Sequence, residues 1–122
     1  MRYIILVIFL FAAFNVYSQD TASIGKQNIN PRALNLREIT KMIEYPDSAR
    51  ENDIEGRVVI MLLVDEKGNV ISDKGFKQGH PVFYNEIRRC AYKLKFSPAK
   101  MNGVITKCYI NIPFEFTLKR ED

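Results

Sequence analysis

From Cys108 to Leu118 every second residue is apolar: Cys108, Ile110, Ile112, Phe114, Phe116 and Leu118. Lys107, Tyr109, Asn111, Pro113 and Glu115 occupy the other parity. A period of two predicts a half-buried strand, here one long element running from Val104 to Leu118. Pro113 lies within it, and proline lacks the N–H that a ladder uses. Proline is tolerated where that edge faces solvent, or at a bulge. The pattern therefore predicts an edge strand, and such an edge must be covered or used to receive a partner's strand. Arg57 to Asp65 reads differently. Val58, Ile60, Leu62 and Val64 are apolar on one parity, and Val59, Met61 and Leu63 on the other. That continuous run predicts a central strand covered on both faces.

Glu66-Lys67-Gly68-Asn69 has hairpin-turn chemistry, and Val70 to Lys77 returns as a more polar strand. The expected sheet is antiparallel and three-stranded, with Arg57–Asp65 between Val70–Lys77 and Thr106–Leu118. Helices flank these strands. Asn30-Pro31 resembles a cap followed by a first-turn proline, and Leu36, Ile39, Thr40 and Ile43 share a face, so a helix is expected from Pro31 to Ile43. A second short helix should follow Tyr45, with Pro46 in its first turn, Asp47 against its dipole and Gly56 as its stop. A third should run from Gly79-His80-Pro81 to about Leu94, burying Phe83, Ile87, Cys90, Ala91 and Leu94. Asn102-Gly103 reads as a turn before the last strand. The fold class is α+β, with an expected core of Ile60, Leu62, Phe83, Ile87, Leu94, Ile110, Ile112 and Phe114.

The first residues read as something other than domain. Arg2 precedes an apolar run from Tyr3 to Phe14, followed by Asn15-Val16-Tyr17-Ser18. This is the order of a secretory signal peptide, cut after Ser18. A retained membrane anchor is the alternative, but the apolar core of about 12 residues falls short of the roughly 20 needed to span a bilayer. The expected organisation is a signal peptide over 1–18, a flexible leader over 19–29 and one domain over 30–120. Cutting removes Arg2 and no acidic residue, so 17 basic against 14 acidic side chains leave +3. That mild charge, with no basic run and no nucleic-acid module, makes nucleic acid an unsuitable partner. Export to an oxidising compartment makes a disulfide feasible between Cys90 and Cys108, both on core-facing parities. Two free buried thiols fit the sequence equally well.

Candidate chemistry is sparse. His80, the one histidine, stands in a turn before Pro81, and one His with two Cys falls short of a zinc ligand set. No nucleophile motif or phosphate-cradling glycine loop is present, and Asp65, Glu66 and Asp73 surround a hairpin. The sequence points to no enzyme, metal or cofactor.

Five segments carry a family resemblance: Tyr45-Pro46-Asp47-Ser48-Ala49, Gly56-Arg57-Val58, VDEKGNV (64–70), FSPAKMNGV (96–104) and NIPFEF (111–116). In order and approximate spacing they resemble the TonB C-terminal domain, from about Lys41 to Leu118. The resemblance implies helices packed on one face of a three-stranded antiparallel sheet. It also implies a last strand, here Thr106 to Phe116, that accepts a short segment of an outer-membrane TonB-dependent transporter. Met42, Ile43 and Glu44 match a second region that touches that segment in the family. With the outward parity of the last strand, the expected partner-binding residues are Met42, Ile43, Glu44, Lys107, Tyr109, Asn111 and Glu115.

The chain departs from a full energy transducer. It reads as having a cut signal and no Pro-rich spacer, and the leader from Gln19 to Ile29 reaches only about 35 Å when extended. The expected function is a periplasmic interaction domain binding an outer-membrane transporter or another envelope protein by strand addition. The alternatives are a membrane-anchored energy transducer, or a homo-oligomeric envelope structural protein (a homodimer, for example) in which two final strands pair with each other, a reading favoured by the apolar Val59, Met61 and Leu63 that something must cover.

Overall fold

The computed structural model describes residues 2–6 and 28–119. Its elements in chain order are β1 (Arg2–Leu6), α1 (Leu36–Met42), α2 (Asp47–Glu51), β2 (Gly56–Val64), β3 (Val70–Gln78), α3 (Tyr84–Ala91), β4 (Ala99–Met101), β5 (Val104–Thr106) and β6 (Cys108–Lys119), with a 3₁₀ turn, Pro81–Phe83, leading into α3. The main sheet has the order β1-β6-β2-β3, antiparallel throughout. As the unbroken apolar run predicted, β2 lies between β3 and β6. Residues 7–27, which hold most of the expected leader and the rest of the signal-like segment, lie outside the described residues, whereas Ile29 at the leader's end is bonded to Lys100.

The last strand differs from expectation in two ways. Val104–Leu118 is not one strand: it is interrupted at Lys107, and β5 pairs back on β4 through the Asn102 (φ 54)-Gly103 (φ 80) turn in a separate two-stranded sheet. Both turn residues adopt the positive φ that favours Asn-Gly in tight hairpins. In addition, β6 is not a bare edge: β1 pairs with it from Glu115 to Lys119, so that Glu115 and Phe116 lie between two strands.

Helix boundaries also shift. Residues 29–34 are extended rather than helical because they bond to the segment before β4. Leu34 donates to the Lys95 carbonyl at 2.7 Å, Ser97 to that of Arg32 at 2.8 Å, and Ile29 and Lys100 exchange bonds at 2.8 Å. α1 therefore begins at Leu36, where Asn35 instead holds Lys93 and Lys95 through its side chain. Pro46 precedes α2 in extended conformation, and the helix stops at Asp53 (φ 54) rather than at Gly56, which begins β2. α3 ends at Ala91, and Leu94 follows in a turn closed by its N–H on the Ala91 carbonyl.

The helices cover one sheet face. On it Val58 stands opposite Phe114, Ile60 opposite Ile112 and Leu62 opposite Ile110, packed with Phe83, Ile87, Cys90 and Leu94. All eight expected core residues lie in or against this cluster, with Ile110 partly buried. Tyr45 joins them through edge-to-face contacts with Phe83 and Phe116, whose rings stack at 4.1 Å. Its hydroxyl donates to the Ile54 carbonyl, so the one polar atom of a buried ring is satisfied. The other sheet face is less covered than the sequence suggested: Val59, Met61 and Leu63 are only half-buried.

Candidate partner-docking edge

β6 presents its two parities to different surroundings. Ile112, Phe114, Phe116 and Leu118 are buried, whereas Tyr109 and Asn111 are exposed and Glu115 half-buried. The outward side chains meet the second parity of β2: Leu63 opposite Tyr109, Met61 opposite Asn111, Val59 opposite Pro113 and Arg57 opposite Glu115. The Lys74 ammonium lies 4.6 Å from the Tyr109 ring centroid, a cation–π contact that braces the ring against β3. Lys107 is exposed between β5 and β6. Among the described residues, no strand pairs with the outer edge of β6 from Cys108 to Phe114.

Pro113 is buried rather than pointing freely to solvent. Its place opposite Val59 is compatible with a missing N–H if the two form a non-hydrogen-bonded pair of the antiparallel ladder.

Met42, Ile43 and Glu44 are at the end of α1, and they do not behave alike. Met42 is 42% exposed, while Ile43 is 3% exposed and belongs to the core, so its side chain is spent on packing. The backbone here is fixed by α3. The Glu86 carboxylate accepts the Glu44 N–H at 2.6 Å, and Arg89 donates to the Met42 carbonyl at 3.3 Å. Glu86 and Arg89 also pair with each other, at 2.7 and 2.9 Å. Partial burial opposes ionisation of Glu86, but the hydrogen bonds from Arg89 and Glu44 outweigh it and hold the carboxyl below its ordinary range. These two residues escaped the sequence reading. Their i,i+3 spacing is visible in the chain, but the backbone groups they hold, 42 and 47 residues away, are not.

A second acidic site binds β3 to α3. Asp73 accepts from Arg88 at 3.2 and 3.3 Å, from the Tyr92 hydroxyl at 2.6 Å and from the Gly75 N–H at 2.8 Å. Asp65 caps its own turn by accepting the N–H groups of Lys67 and Asn69. His80 caps the 3₁₀ turn, its Nδ1 accepting from Val82 at 3.1 Å. These contacts organise loops. Cys90 and Cys108 are free thiols: Cys90 is buried with its Sγ 3.7 Å from a Glu86 oxygen, and the Cys108 Sγ faces the Tyr109 carbonyl at 3.3 Å.

With the fold, the five motifs and the edge strand in view, the family model for the Gram-negative bacterial TonB protein C-terminal matches residues 41–118. The chain belongs to that family. The match spans α2 through β6 and includes both regions expected to meet a partner. Domains of this family are non-enzymatic, periplasmic modules of envelope transport. A search of curated proteins gave no match. Among the described residues, no helix is long and apolar enough to cross a membrane.

Proposed function

We propose that this chain is exported by its N-terminal segment, cut after Ser18, and that its domain, residues 30–120, captures an extended segment of an outer-membrane transporter or other envelope protein by strand addition to β6. The observation that supports this most is the pairing of β1 with β6, because it marks the outer edge of the last strand as one able to carry a further antiparallel strand. If Pro113 directs its missing donor outward, Lys107, Tyr109, Asn111 and Glu115 direct their backbone groups outward as well. The exposed side chains of Lys107, Tyr109 and Asn111 then select the partner, with Met42 and Glu44 contributing from the fixed end of α1.

Asn111→Pro removes one outward N–H from the middle of this edge and leaves the ladder to β2 intact. Titrating the chain with a synthetic transporter N-terminal peptide, followed by amide chemical shifts, should show binding by the parent and its loss in the folded variant. Equal binding by the two would exclude this edge as the docking site. A second reading, pairing of two copies through the sheet's outer face, is favoured by half-buried Met61 and Leu63 beside exposed Tyr109. Sedimentation that stays monomeric across the working concentration range would exclude it.

A further inference from the structure

We propose that the N-terminal strand is an intramolecular ligand of the β6 edge, so that the uncut chain keeps part of its own docking edge closed and removal of the segment opens it. The proposal rests on the strand-addition reading for its purpose, but not for its physical content. β1 runs antiparallel to β6 in an unbroken register: Arg2 opposite Lys119, Tyr3 opposite Leu118, Ile4 opposite Thr117, Ile5 opposite Phe116 and Leu6 opposite Glu115. α1, whose end carries Met42 to Glu44, lies beside β1 as well. An occupant of this stretch of edge therefore sits next to both regions expected to touch a partner.

The contact is also of a kind that can be released. β1 has five residues, and among the described residues its one ladder neighbour is β6. A strand this short, paired on one side only, makes few ladder bonds, so a covalent tether adds to its persistence by raising the local concentration. Arg2–Leu6 falls inside the segment expected to be cut after Ser18, and cutting removes that tether. The stretch opened extends the docking edge beyond Glu115 to Thr117 and Lys119, residues that sequence periodicity alone did not single out.

The test uses the full, uncut chain with no partner present. Ile4→Pro removes an N–H from the centre of β1. Amide hydrogen exchange at Glu115, Thr117 and Lys119 should accelerate about tenfold or more, while the Ile60 and Ile112 amides keep their protection. Unchanged exchange at those three edge positions would overturn the proposal. So would edge protection that rises with protein concentration, since the strand would then come from a second copy. Should Ile4→Pro also loosen Ile60, Tyr3→Gly takes its place under the same criterion. Because no peptide is added, failure here is separable from failure of partner capture, which the Asn111→Pro titration reads independently.

Discussion

Glu86 shows how one side chain can set the shape of a segment far away in sequence. Its carboxylate holds the Glu44 N–H and the Arg89 guanidinium, and both bonds are stronger to the ionised form. Because the folded-state pKa is depressed, the stabilisation is fully present above the ordinary glutamate range and is lost as pH falls through the lower, folded-state value. Acid titration should therefore move the Glu44 amide resonance below the ordinary glutamate range, and Glu86→Gln should leave that resonance insensitive in the same window. Tyr45 makes the complementary point about burial. Removal from water, reinforced by Glu55 and Asp53, pushes its hydroxyl up to about 12, so the ring stays neutral as the core requires. Its place in the Tyr-Pro motif is thus first a packing role.

At the scale of elements, the order and type of the strands followed from apolar periodicity, but their ends followed from pairings between distant segments. The β2–β3 turn is an example. Gly68 has φ 85, and a Cβ there would overlap the Phe96 carbonyl oxygen, while the Phe96 N–H donates to the Gly68 carbonyl at 2.8 Å. The hairpin tip is therefore pinned beneath the segment that follows α3. Gly68→Ala combines an unfavourable backbone region with a collision against main chain, and should cost more than about 2 kcal/mol. A fall in denaturation midpoint with an unchanged m-value would report it. A variant as stable as the parent would mean that the 95–97 segment yields easily.

For the whole molecule, stability rests on one layer of helices against one sheet face. Phe114 is fully buried, opposite Val58 and within the same cluster as Phe83 and Ile87. Phe114→Ala should cost about 3–5 kcal/mol, a large share of the roughly 5–15 kcal/mol a domain of this kind holds. Thermal or chemical unfolding will test this, and a parent-like midpoint would contradict the inward parity of β6. By itself the sequence determined the α+β class, the central position of β2, the inward residues of β6 and the family to which 41–118 belong, because side-chain period and turn chemistry are local properties of the chain. Tertiary structure alone decided that 29–34 is extended, that 104–106 pairs with β4 instead of continuing into β6, and that Glu86 and Arg89 hold the end of α1. Each of these depends on which distant backbone groups come within hydrogen-bonding reach. The same holds for the docking edge: Pro113 within a period-two pattern marked it as an edge strand, and only the pairing of Arg2–Leu6 with Glu115–Lys119 disclosed what can lie along it.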